Sequence, residues 1–110
     1  FVRQGFKRGR LGNLHVIGLC EGLHHLTLGP YYLDKTFNPT ITATAERLDL
    51  HQSRGEMKSI DSQDAAICLI SPLVMMLLHQ NYLGGRKEHP IDLDQFCRTH
   101  SDSFVIAYKN

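Results

Sequence analysis

Tryptophan is absent from these 110 residues, cysteine occurs only three times and proline four times. Cys20, Cys68 and Cys97 stand far apart in apolar surroundings, and no CxxC occurs. This argues against a disulfide scaffold or a zinc knuckle and fits a reducing, cytoplasmic location. Alternating apolar and polar runs bounded by turn residues are also missing, so a sheet has no support. HExxH, GxSxG and GxxxxGKS/T are absent, and "LGGRKEH" carries basic residues at the wrong spacing for a phosphate loop. Enzyme activity and a cofactor are therefore not expected. Excess charge is missing as well: the formal net charge is +1, which gives no general attraction to nucleic acid or anionic lipid.

That balance conceals a local asymmetry. Residues 1–10, "FVRQGFKRGR", hold Arg3, Lys7, Arg8 and Arg10 without an acidic residue. The stretch reads as a basic N-terminal segment or partial helix, solvated or touching phosphate. A signal peptide is not expected within it, because no continuous apolar segment appears before residue 20. An apolar fraction of 42% and a charged fraction of 21% place the remainder, residues 11–110, among globular domains.

What is present is helical periodicity. Leu11, Leu14, Val16, Ile17, Leu19, Cys20, Leu23 and Leu26 recur at spacings of three and four, up to Gly29-Pro30. Gly12, Gly18 and Gly22 on this helix mark close approach of a neighbour or a ligand. Asn38-Pro39 reads as a cap followed by a first-turn proline, opening a helix that stops at Gly55. Ile41, Ala45, Leu48 and Gln52 share its inner face. Asp61 and Asp64 open the next helix, which runs to Gly84-Gly85, and Asp92 and Gln95 open the last. "GGRKEHP" reads as a loose charged connection. The fold expected is an all-α helical bundle of four to five helices.

The stretch "DSQDAAICLISPLVMMLLHQNYLGG" decides more than the rest. Its continuous apolar part, "AAICLISPLVMMLL", is fourteen residues long, short of the roughly twenty needed to span a bilayer. A membrane span is not expected. Apolar residues nevertheless surround this helix on nearly all sides, so it must lie centrally or bury a second face against another chain or a ligand. Pro72 within it removes one amide and bends the helix without ending it. The last helix adds a stripe of Leu93, Phe96, Cys97, His100, Phe104, Ala107 and Tyr108. Two such helices joined by a short loop make half of an intermolecular four-helix bundle, or else they seal a monomer core.

The run "YYLDKTFNPTITATAERLDLHQSRGEMKSIDSQDAAICLISPLVMMLLHQNYLGG" followed by "PIDLDQFCRTHSDSFVIAY" resembles the C-terminal region of TetR/AcrR-type transcriptional regulators. Phe37, Pro39, Arg54, Gly55, Glu56, Asp61, Ala65, Ala66, Pro72, Leu83, Gly84, Phe96, His100, Phe104 and Tyr108 fit that layout. The resemblance covers residues 11 to 109. It implies a homodimer formed mostly by the last two helices and a pocket for a small, often apolar effector enclosed by the earlier ones. It implies further that effector binding moves a helix-turn-helix DNA-binding head. Nothing before residue 11 matches such a head, so the expectation is a regulatory half that reaches DNA only through a separate domain.

Met76, Leu83, Phe96, His100, Phe104 and Tyr108 are the expected dimer seam. Tyr32, Phe37, Leu69 and Leu73 are expected to face an effector pocket, with Glu21 and His24 as its polar corner. Glu21 with His24 or His25 also shares a helical face, but two such groups do not complete a metal site, and helix-end histidines are an equally simple reading. His100 is either a link across the seam or a hydrogen-bonded core histidine. A purely structural or adaptor bundle is the alternative to the regulator, and an apolar cavity of roughly 300 Å³ or more separates the two.

Overall fold

A computed structural model describes residues 10–110, with side chains from Leu14 onward. The basic residues 1–9 lie outside the described part. The chain is all-α: α1 (Arg10–His24), α2 (Leu28–Tyr32), a π-helical turn (Leu33–Phe37), α3 (Asn38–Ser53), α4 (Ser62–Asn81), α5 (Gly85–Glu88) and α6 (Leu93–Tyr108). Among the described residues there is no strand, only an isolated antiparallel bridge between Met57 and Lys109.

Three expectations about element ends change. Pro30 does not end a helix but sits inside α2. Asn38 does not cap α3, because α2, the π turn and α3 follow one another with helical backbone throughout. The Asn38 amide bonds to the carbonyl of Leu33, five residues back. Pro39 has no amide to offer and crowds the preceding turn, and a widened π turn accommodates it where a regular turn would clash. The expected loose connection "GGRKEHP" contains the single-turn α5.

Other ends obey local chemistry as read. Asp61 accepts from the Asp64 amide at 3.0 Å and Asp92 from the Gln95 amide at 3.1 Å, satisfying donors that the first turn leaves open. Gly55, at φ 74°, closes α3. Its amide bonds to Gln52 and that of Glu56 to His51, a pairing that requires a left-handed residue. Two glutamines then fix the loops. Gln52 accepts from the Ile60 amide and donates to Ser62, while the buried Gln80 accepts from the Ile91 amide and donates to the His89 carbonyl.

Helix α4 is the hub, touching α1, α3, α5 and α6. Its Ala65, Ala66, Ile70 and Val74 join Ile41 and Leu48 of α3 and Met57 in one buried cluster, against which Phe104 and Tyr108 of α6 lean. At 20 residues α4 is by length and composition alone sufficient to cross a membrane, although its continuous apolar part is shorter. Cys68 loses the amide partner that Pro72 cannot supply. One residue on, the Leu69 carbonyl receives the His100 Nε2 at 2.9 Å. The whole measures 42 × 33 × 19 Å. The shortest dimension is only about two helix diameters, so the helices form a slab with little depth.

Candidate functional site

The most specific polar arrangement lies where α1 meets α2 and α3. His15 is fully buried, and its Nδ1 lies 2.9 Å from the Tyr32 hydroxyl. Its Nε2 lies 3.3 Å from Thr40 Oγ1. The Thr40 hydroxyl already donates to the Thr36 carbonyl at 2.9 Å. The Thr40 oxygen must therefore accept from Nε2–H, which leaves Nδ1 to accept from Tyr32. For the neutral imidazole, proton direction along Tyr32, His15, Thr40 and Thr36 is thus set. Burial acts in the same sense, holding the His15 imidazole below its usual value of 6.5 and pushing the Tyr32 hydroxyl up to about 12.

Close approach makes this contact possible. A Cβ at Gly18 would collide with the ring of Tyr32, and one at Gly22 would press on the backbone of Gly29. Both glycines lie on the His15 side of α1, given 100° per residue. Phe37 completes the site, its ring edge-on to His15 at 6.3 Å.

Tyr32 and Phe37 also wall an open pocket of about 290 Å³ between the π turn and α4. Leu19, Leu33, Val74 and Leu78 contribute to it, and no charged residue does. Along α4, Ile67, Ser71, Met75 and Leu78 fall on one side at spacings of three and four, and Tyr82 follows at the C-terminal cap. Met75 and Tyr82 are about half exposed. An uncharged, largely apolar ridge, half-buried at Ser71 and Leu78, thus stands partly in solvent beside an apolar pocket.

The structure distributes the six expected pocket residues. Tyr32 and Phe37 come together. Glu21 shares with Tyr32 a separate hollow of about 270 Å³ on the outer side of α1. His24 is exposed, and it is His25 that pairs with Glu21, at 3.6 Å. Leu73 is buried in the core, and Leu69 lines a third hollow beside Phe104 and Tyr108. Of the expected seam, Leu83 is exposed at 66%, whereas Met76, Phe96, His100, Phe104 and Tyr108 are half-buried against their own chain. His100 stacks on Phe96 and uses its Nε2 on Leu69, so its visible role is within the chain. Among the described residues no cluster of three or more His, Cys, Asp or Glu side chains could hold a metal ion.

His15 is absent from the sequence expectations. It stands between Leu14 and Val16 in a periodic apolar run, of which the structure buries Val16 and leaves Leu14 and Ile17 exposed. The signal that identifies the inner face is the pair Gly18 and Gly22, which follows His15 by three and seven residues. No protein-family model matches the chain, and no curated protein or solved structure matches it.

Proposed function

We propose that this chain is the effector-binding, homodimerising regulatory domain of a transcriptional regulator. In this reading a small apolar effector enters the pocket beside Tyr32 and Phe37, and DNA is reached only through a separate helix-turn-helix domain. The observation that supports it most is the uncovered ridge Ile67–Ser71–Met75–Leu78–Tyr82. An apolar ridge without charge, on the central helix of so thin a slab, has the character of a half-core awaiting its other half. Because Met75 and Leu78 belong to both ridge and pocket, a second copy laid on α4 would roof the pocket. Effector and dimer would then share contacts, which is what a coupling free energy between them requires. The order of motifs, which resembles that of TetR/AcrR-type regulators, supports the same reading. The protein works in the cytoplasm and in water, with α4 as core and seam helix and not as a membrane span.

Sedimentation equilibrium over a concentration series tests the dimer. The expected mass is twice the 12.5 kDa of the chain, falling to the single-chain value in Met75→Glu with helicity retained. A wild-type chain that stays monomeric at high concentration overturns the reading and favours a structural or adaptor bundle. The coupling is tested by repeating the series with apolar ligands that raise the melting temperature. A dimer constant unmoved by every such ligand would refute regulation through this seam.

A further inference from the structure

The third hollow lies at the other end of the molecule and answers to different chemistry. It has a volume of about 320 Å³, with Leu48, Met57 and Leu69 as its floor and Phe104 and Tyr108 as one wall. The two rings lie 4.7 Å apart at 47°. Its edge is held by backbone. The Lys58 amide donates to the Tyr108 carbonyl at 2.7 Å, and the Asn110 amide donates to Glu56 at 3.2 Å. The Asn110 side chain adds bonds to the carbonyls of Gly55 and Met57. A hollow bordered in this way is already formed before anything enters it, so little ordering is required on binding.

The rim carries charge of both signs, but not equally available. Glu56 is engaged by His51 at 3.0 Å and more distantly by Arg54 at 4.0 Å. Lys109 is placed at the same rim by its bridge to Met57. Its ammonium makes no ion pair or side-chain hydrogen bond among the described residues. The hollow therefore offers an apolar bed with one uncommitted cation at its mouth.

We propose that this groove binds an amphipathic monoanion, an alkyl or aryl carboxylate. Its hydrocarbon lies against Leu48, Leu69 and Phe104, and its carboxylate meets Lys109 Nζ. The inference does not depend on the dimer or on the pocket beside Tyr32, which lies on a different set of residues.

The test is an amide-resolved NMR titration of the 110-residue chain with decanoate, decanol and decyltrimethylammonium, each below its aggregation limit. Decanoate is expected to give saturable shifts at Met57, Leu69, Phe104 and Tyr108, and to bind about two- to fivefold tighter than decanol, the range an exposed ion pair supports. The cationic amphiphile should bind more weakly than either. Lys109→Ala should abolish the preference for decanoate and leave decanol affinity in place. Ser101→Phe, from the half-buried rim, should weaken both. Equal affinity for the three amphiphiles, an unchanged preference in Lys109→Ala, or shifts confined to Met75 and Leu78 would each overturn the proposal. Because the readout is site-specific binding and not mass, failure here leaves the dimer test standing, and the reverse also holds.

Discussion

The two ends of this slab are held together by different physics. At the end formed by α3, α4 and α6, Ile70 and Ala66 are fully enclosed, Ile41 and Met57 pack around them, and a backbone bridge fastens the rim. At the end formed by α1 and α2, His15 and Val16 are buried, while Leu14, Ile17, Leu23 and Leu26 face outward, Leu26 at 98% exposure. Burial of hydrocarbon stabilises the first end and tolerates changes of detail. The second end depends on hydrogen bonds whose partners and directions are specified one by one, and such a network fails as a unit when one member is removed. The end next to the proposed effector pocket is thus the end whose stability is most easily altered, as a region that moves with ligand must be.

The largest contrast should come from Ile70→Ala. Ile70 has no exposed surface and touches both α3 and α4 neighbours in the cluster, so its loss should cost about 2–5 kcal/mol by transfer and cavity terms together. Urea unfolding would measure it, and the destabilisation should extend to the whole molecule. A loss below about 1 kcal/mol, in the range of a volume-conserving swap, would mean that this end is not the stable one.

Tyr32→Phe should cost less, about 1–3 kcal/mol, because it leaves the buried His15 Nδ1 without its donor from Tyr32. The sharper expectation concerns where the loss appears. Amide exchange should accelerate in α1 and α2 and stay unchanged around Ile70. Uniform acceleration would show that the two ends unfold together.

Titration separates the ends further. The His15 imidazole is held below 6.5 by burial, so the folded state binds its proton less readily than the unfolded chain does. Stability from this group is full above pH 6.5 and declines as pH falls below that value. Tyr32 behaves in the opposite sense. Its hydroxyl is raised from 10.0 to about 12, so its contribution is intact below pH 10 and is lost as pH rises toward about 12. Protection of α1 amides should therefore fall on both sides of a neutral window. His15→Gln should flatten the acidic limb alone, and an acidic limb that survives this change would assign it to another group.

The contrast also explains how much could be read from sequence. Asp61, Asp92 and Gly55 announced helix ends correctly because capping is decided within four or five residues. The central place of α4 followed from its apolar girth, which is a property of one segment. The orientation of α1 was harder, since its apolar run is too broad to choose a face, and the structure turns Val16 inward with His15 and leaves Leu14 and Ile17 outside. That choice depends on Tyr32, seventeen residues away, and on where Thr40 stands after the π turn. Phe104 was legible as an apolar stripe residue but not as a wall of a groove, because the floor of that groove is supplied by Leu48 and Met57 from other elements. Local rules reach the elements, whereas sites are made by pairs of elements.

The smallest expected effect compares the two ends of α4's own neighbourhood through its caps. Asp61→Ala and Asp92→Ala each remove one side-chain acceptor from a first-turn amide, and each should cost about 1 kcal/mol. They should differ in reach. Asp61 opens the helix that carries Ala65, Ala66 and Ile70, so fraying there loosens the shared core and lowers the global unfolding free energy. Asp92 opens α6 one residue after Ile91, whose amide the buried Gln80 holds, while the far end of α6 stays bridged to Met57 and Lys58. Loss of the Asp92 cap should therefore appear as faster exchange in the first turn of α6, with the bridge at Tyr108 still protected. Equal global losses from both caps would mean that α6 is as much a part of the core as α4, and that the groove residues it carries cannot respond separately from the rest.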